Sequence, residues 1–193
     1  MKLERLTEQI DFIREIDKVK YIQRKTKLFN SDRNENDAEH SWHLALMAIV
    51  LVEHSNDTID ILKVIKMLLI HDIVEIDAGD TFLFDTTKSH TNTEEELLAA
   101  KRIFGMLPND QAESLIEIWK EFEKGETKES KFAKAMDRFE PVLQNESNNG
   151  GTWVEYNVEY RKIYNKLISI KNGSRIIWSY TEKVINHLMN KKE

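Results

Sequence analysis

The chain has 193 residues, enough for one domain that buries about 70% of its unfolded surface, with 32% charged residues and a net charge of −6. That acidic balance argues against a broad face for polymeric nucleic acid; six Gly and two Pro are too few for many short strands, and the absence of cysteine removes disulfides and thiolate ligands together. The charged N-terminus, residues 1–18, does not read as a signal peptide, and no apolar run nears the ~20 residues that span a bilayer, so a cytoplasmic protein with no membrane partner is expected.

Leu3, Leu6, Ile10, Ile13 and Ile16 recur at three- and four-residue steps and predict an amphipathic helix over 3–19. Residues 21–37 are polar and aperiodic and predict a loop or broken helix. Asp37 is the expected N-cap of a helix over 38–54, whose nearly all-apolar centre predicts burial. Asp57 or Thr58 opens the next helix, which runs through His71 and Asp72 and stops near Gly79, before a loop over 80–92. Thr93 and Glu96 make a capping box for a helix ending near Leu107 and Pro108. Leu115, Ile116, Ile118, Trp119 and Phe122 mark a helix over about 110–124.

Thr127 caps a helix from 128, buried along Phe132, Ala133, Met136 and Phe139, with Asp137 beside that stripe. Pro141 lacks an N–H, which predicts a kink there. Residues 145–151 read as a turn-rich loop, after which Thr152 and Glu155 make a second capping box for a helix to about 171 that Gly173 ends. The last helix, 175–190, carries Ile176, Ile177, Trp178, Tyr180, Val184, Ile185 and Leu188, more apolar residues than one buried face needs, which predicts a homodimer. With no repeat or linker, the expected fold is all-α: a single-domain helical bundle over 1–193.

The chemistry concentrates in MLLIHDIVEIDAGD, residues 67–80. An apolar run ends there on His71 and Asp72, an imidazole and a carboxylate that are costly to bury unless both are paired. In a helix, Glu75 follows His71 by four and Asp72 by three, so all three share roughly one face. The stretch reads either as a capped helix end, with His71 bonded to a backbone carbonyl, or as a cation or proton-transfer site. His40, with His43 three residues on, and Asp137 are further polar groups in apolar helices. Two imidazoles and two carboxylates, His40, His71, Asp72 and Asp137, suit a borderline divalent metal with open positions. Taken singly, His40 also reads as a histidine bonding near a helix N-terminus and Asp137 as a surface acid. Spacing alone does not decide, because the segments lie far apart in sequence.

E-H-S-W-H at 39–43, H-D-I-V-E-I-D-A-G-D at 71–80 and A-K-A-M-D-R at 133–138 stand in the order found in the HD-domain metal-dependent phosphohydrolases. The chain resembles their 5′-deoxynucleotidase branch from about residue 22 to 178. That resemblance implies an HD-type helical bundle, a homodimer, and one divalent cation (manganese, cobalt, magnesium, zinc, iron or nickel) held by His40, His71, Asp72 and Asp137. It implies that Glu75 positions the attacking water and Arg24 binds the substrate phosphate. Those enzymes follow the arginine with a tryptophan that crowds the sugar 2′ position; Lys25 stands here instead. The expected substrates are therefore ribo- and deoxyribonucleoside 5′-monophosphates alike.

A bound cation of this kind lowers the pKa of water from about 16 towards 7, and Glu75 can orient that water or take its proton. Arg24 or Lys25 balances the phosphate, and arginine does so better because its planar fork meets two oxygens. Arg33 is a second candidate for the pocket, or else pairs with Glu35 or Glu39 outside it. Asp80 is assigned to the pocket, on a sugar hydroxyl or the leaving oxygen, and Asp77 to structural work. Trp42 and Trp153 can stack a base or belong to the core. A second metal would need His43 or His90, so one is expected. The alternatives are an HD phosphodiesterase or phosphohydrolase acting on a cyclic or polyphosphorylated nucleotide, and a non-catalytic helical module with a vestigial site.

Overall fold

The computed structural model describes residues 2–85 and 93–190. Helix α1 covers Lys2–Ile16 and is followed by a 3-10 turn, Asp17–Tyr21. Residues 21–37 then depart from the expected loop. Strands β1, Gln23–Lys27, and β2, Asn34–Asn36, form an antiparallel ribbon whose register shifts between Gln23 and Lys27. Its inward residues are polar, so no apolar alternation announces it. A two-stranded ribbon takes its stability from what it lies on. Here β1 packs on α7 and α8, defined below, and Asn148 accepts from Ser31 N and donates to the Leu28 carbonyl.

Helix α2 is Asp37–Leu51. Its N-cap is Asn36 rather than Asp37: Asn36 Oδ1 accepts from Glu39 N at 3.0 Å, and Asn36 N donates to the Glu39 carboxylate at 3.2 Å. Asn36 has the extended backbone a cap requires, which leaves the Asp37 side chain free to turn inward, where it is fully buried. The expected burial of α2 holds for one side, along His40, Leu44, Met47 and Ala48. Its opposite side exposes Trp42, Leu46, Ile49 and Val50.

Helix α3, Ile61–Ile70, is capped by Asp60, whose carboxylate accepts from Leu62 N and Lys63 N, and not by residue 57 or 58. At His71 the helix tightens into a 3-10 turn, His71–Val74, before α4, Glu75–Ala78. Gly79 ends it at φ +75°, in the left-handed region. Helix α5 is Thr93–Phe104; the Thr93 side chain of the expected capping box lies outside the described residues. Helix α6, Asn109–Lys124, ends on Gly125 at φ +63°.

Helix α7, Lys128–Ser147, is capped by Thr127, whose side chain accepts from Ser130 N. It passes through Pro141 as one element, so residues 145–147 are helix rather than loop. Burial of Glu140, Val142, Gln144 and Asn145 on either side of the missing N–H holds it together. Beyond it, the expected single helix to 171 is three short ones: α8, Gly151–Glu155; α9, Tyr160–Leu167; and α10, Ile170–Gly173. Thr152 lies inside α8 and donates to Asn145 Oδ1 at 2.9 Å, so it caps nothing. Gly173 is needed for proximity rather than for a left-handed turn. A Cβ there would sit 2.3 Å from the Lys131 carbonyl oxygen and 2.8 Å from Ala135 Cβ, both on α7. Helix α11, Arg175–Asn190, closes the described chain.

Two apolar clusters form. The larger joins α2, α3, α7 and the C-terminal helices through Leu44, Met67, Phe132, Met136, Ile170 and Ile185. The smaller joins α1, α5 and α6 to the end of α3 through Phe12, Ile70, Ile73, Ile103 and Trp119. Leu68 belongs to the first cluster and Ile70 and Ile73 to the second, so His71 and Asp72 fall on the seam between them. Among the described residues, no helix is long and apolar enough to cross a membrane.

Candidate metal centre

At that seam four side chains from three regions converge. His40 comes from the first turn of α2, His71 and Asp72 from the turn after α3, and Asp137 from the middle of α7. His40 Nε2 lies 3.3 Å from Asp137 Oδ1 and 4.0 Å from Asp72 Oδ2. His71 Nε2 lies 3.0 Å from Asp72 Oδ1 and 3.8 Å from Asp137 Oδ1. One ligand atom each from His40, His71 and Asp72 fall within 4.8 Å of one another. His40 is fully buried, and His71 packs edge-on against Phe122.

The orientation of His71 shows what these atoms can hold. Its Nδ1 donates to the Leu68 carbonyl at 2.9 Å, which places a proton there and leaves the lone pair of the neutral ring on Nε2. That buried Nε2 makes no hydrogen bond, yet it faces two carboxylates. A lone pair aimed at anions is repelled unless a positive charge lies between, and a divalent cation or a proton meets that need. In the protein alone, burial opposes the charge on His71, but Asp72 and Asp137 lift the imidazole to about 9. Burial likewise opposes the charge on Asp137, but the two imidazoles hold it well below the usual carboxylate range. Two imidazole nitrogens and two carboxylates fit a borderline cation such as manganese, iron, cobalt or zinc.

Beside this group opens a cleft of about 270 Å³, lined by Arg24, Lys25, His71, Asp72, Glu75, Asp80 and Asp137, together with Trp153. Arg24 Nη1 donates to Asp72 Oδ2 at 3.1 Å and to Asp37 Oδ1 at 3.4 Å. Oxygens of Asp37, Glu75 and Asp80 lie within 4.8 Å of one another. Burial first, then Asp72 and Asp37, push Glu75 well above its ordinary value. Burial and Asp72 push Asp37 up to about 7. Burial also raises Asp80, although Arg24 opposes the shift.

Two expected pocket residues lie elsewhere. Arg33 is on the surface in a two-pronged pair with Glu39 at 2.8 and 2.9 Å, because the ribbon carries it past the cleft. Trp42 is 63% exposed on the outer side of α2, away from the cleft lining. Trp153 lines the cleft but is almost wholly buried and belongs to the larger core. Asp77 pairs with Arg102 at 2.5 and 2.7 Å, and Arg102 also reaches Glu15 of α1, a structural clasp at the edge of the site. His43 faces Glu140, and His90 lies outside the described residues. Sequence reasoning missed Glu35, Asp37 and Glu140. Glu140 had a readable signal, standing four residues after Met136 and seven after Ala133 on the buried stripe of α7. Glu35 had none, because nothing marked its ribbon as folded inward, and Asp37 read as an N-cap, a role that Asn36 takes.

Comparison with known proteins agrees with this geometry. A family model described as HD domain matches residues 16–178, and the chain belongs to that family. It is similar to the 5′-deoxynucleotidase HDDC2 of Homo sapiens, 29% identical over 136 residues, covering 70% of this chain and 65% of the relative. With the Mus musculus protein of the same name it is 30% identical over 134 residues, covering 69% and 66%. The chain thus spans just under two thirds of the length of these relatives. A crystal structure from Magnetospirillum magnetotacticum, described as that of a predicted metal-dependent phosphohydrolase, superposes with a TM-score of 0.93 at 44% identity, over 98% of this chain and 95% of that one.

Proposed function

We propose that the protein is a metal-dependent phosphohydrolase that removes the 5′-phosphate from nucleoside monophosphates, using one divalent cation held by His40, His71, Asp72 and Asp137. The observation that carries this reading is the lone pair of His71 Nε2, fixed by the Leu68 carbonyl and aimed at two carboxylates beside a cleft with a cationic wall. When bound, such a cation supplies Lewis acidity and makes water nucleophilic at neutral pH. Glu75 lines the cleft one turn from the ligands and takes the proton of the attacking water. The water oxygen bonds to phosphorus, the ester P–O bond breaks, and the departing 5′ oxygen takes a proton from solvent while Glu75 returns its own to solvent, giving nucleoside and inorganic phosphate. Arg24 grips the phosphate oxygens, with Lys25 beside it, and Asp80 meets the sugar hydroxyl or the leaving oxygen.

A second reading draws on cations that the first does not use. Lys134, Arg138 and Lys166 also line the cleft and would suit a substrate with an additional phosphate. Incubating the manganese-loaded protein with ribo- and deoxyribonucleoside monophosphates, diphosphates, bisphosphates and cyclic nucleotides, and measuring free phosphate, separates the two. The monophosphate reading expects release from AMP and dAMP that stops on chelation. It also expects Glu75→Gln to keep its metal while turning over about 10²–10⁴-fold more slowly. Loss of the metal in that variant would make Glu75 a ligand and end the proton-transfer role.

We also propose a homodimer, but not chiefly through α11. Ile177, Trp178, Val184 and Ile185 are used up in the chain's own core, leaving Ile176 and Tyr180 exposed. The broader apolar stripe is Trp42, Leu46, Ile49 and Val50 on α2, and it supports pairing there. Sedimentation at a concentration-independent 22.7 kDa would dispose of the dimer.

A further inference from the structure

The metal centre uses one edge of His40; the other edge is occupied as heavily. Nδ1, fully buried, lies 3.3 Å from Glu35 Oε2 and 3.3 Å from Glu140 Oε2. Glu35 is 1% exposed and Glu140 0%, so both carboxylates carry a full desolvation cost. One N–H can serve one carboxylate, and a single acceptor is enough to set the tautomer of a ligating histidine. The second glutamate needs another reason to be there.

The remaining contacts separate the two. Glu140 is clamped along its other oxygen: Oε1 accepts from Gln144 Nε2 at 2.5 Å and faces His43 Nδ1 at 3.3 Å. Gln144 is one turn further along α7 and His43 is three residues beyond His40 on α2, so the clamp ties together the two helices that meet at His40. Glu140 Oε2 is left for the His40 ring. Glu35 stands on β2, and its Oε2 lies 3.6 Å from the Nε of Arg24 on the paired strand. That contact meets the guanidinium on its Nε side, while Nη1 points to Asp37 and Asp72. Neither glutamate lines the cleft, so each acts only through its partner.

We infer that Glu140 and Glu35 are positioning residues with divided tasks: Glu140 fixes the ring and tautomer of His40 so that Nε2 addresses the cation, and Glu35 holds Arg24 by its Nε side so that the guanidinium stays oriented at the wall of the cleft where the substrate phosphate would bind. The inference rests on the metal-centre reading above. Replacing an outer partner of a ligating histidine typically weakens metal binding about 10–100-fold, which sets the scale for Glu140. Without Glu35, Arg24 would keep its charge and its Nη1 contacts to Asp37 and Asp72, but lose the contact on its Nε side that fixes the plane of the guanidinium.

The test uses the full chain, near-isosteric variants and two probes, Mn²⁺ alone and inorganic phosphate added to the Mn²⁺-saturated protein, each followed by calorimetry. Glu140→Gln is expected to weaken Mn²⁺ binding about 10–100-fold, with partial recovery in Glu140→Asp, and to leave phosphate affinity within about twofold. Glu35→Gln is expected to reverse the pattern: Mn²⁺ affinity within about threefold, phosphate Kd and nucleotide KM raised about tenfold, and kcat little changed. Equal losses in both variants, or none in either, would overturn the division. Should Glu140→Gln fail to fold, nitrogen NMR of Zn²⁺-loaded Glu35→Gln decides the Glu140 arm: a proton kept on His40 Nδ1 without the Glu35 carboxylate supports it, and its loss or a proton on Nε2 overturns it. Wild-type protein that binds no Mn²⁺ would sink the metal-centre reading and this inference with it; unaffected variants of a Mn²⁺-binding wild type would sink the inference alone.

Discussion

The two walls of the cleft are built on different principles. One is helical: α2, the end of α3 and α7 deliver His40, His71, Asp72 and Asp137 from backbones locked into the core by residues such as Leu44, Met67 and Met136. The other is a two-stranded ribbon with polar inward side chains, pinned by Asn148 and by the reach of Arg24 into the site. A metal centre of the proposed kind tolerates little displacement, which suits side chains on packed helices, whereas the proposed phosphate contacts stand on a ribbon whose residues alternate sides every position. On the proposed reading, the metal ligands sit on the helical wall, and the ribbon contributes Arg24 and Lys25 to the cleft.

The largest expected effect breaks the helical wall. Asp72→Ala removes a carboxylate that both imidazoles and Arg24 face, so elemental analysis should find the metal gone, and phosphate release should fall at least ~10³-fold with most helicity kept. Full metal content in that variant would reject Asp72 as a ligand.

The next probes the junction of the two walls, where Asp37 crowds Asp72, Glu75 and Asp80. Asp37 is raised to about 7 in the fold, chiefly by burial, and His71 to about 9, where its carboxylate partners outweigh burial. Both pKa values lie above their unfolded values, so each group favours the folded state most at low pH. Asp37's contribution declines as pH rises through 7, and His71's as it rises through 9. The Tm of metal-free protein should drop by about 4 °C or more between pH 6 and 9, and by less in Asp37→Asn. A Tm that is flat or rises over that range would contradict the crowding. The cluster thus costs the fold stability in return for charge density at the site.

The smallest effect sharpens the ribbon's role. Lys25 lines the cleft as an exposed, flexible side chain and cannot exclude a ribose 2′-hydroxyl by bulk. Wild-type kcat/KM for AMP and dAMP should therefore differ by less than about tenfold, at most about 1.4 kcal/mol, and Lys25→Trp should raise the preference for dAMP. A strong deoxy preference already present in the wild type would place the steric wall elsewhere in the cleft.

The helical wall was legible in the amino-acid sequence because its signals are periodic. The stripe of Phe132, Ala133, Met136 and Phe139 marked the helix that carries Asp137, and the run before His71 marked the helix that ends there, but only the resemblance to the HD-domain family joined His40, His71, Asp72 and Asp137 into one set. Cap positions were less legible where several candidates compete: Asn36 beats Asp37, and Asp60 beats Asp57, because backbone angle decides and composition does not report it. The ribbon was not legible, since Arg24, Thr26 and Glu35 are polar and are turned inward by β1 lying on α7 and α8 and by β2 lying on α2 rather than by any apolar pattern. Arg33 and Trp42 fell outside the cleft for the same reason: their placement depends on how the ribbon turns and on which side of α2 faces the core.

Gly173 has a reach beyond its own neighbourhood. Helix α10 rests on α7 with no room for a methyl group between Gly173 and the Lys131 carbonyl or Ala135. Among the described residues, none beyond Leu167 lines the cleft. Yet Ala135 is only two residues from Asp137, and a side chain at 173 would have to lever α7 aside to fit. Gly173 is thus what lets α10 lie against the stretch of α7 just before Asp137, and a methyl group there would press directly on it.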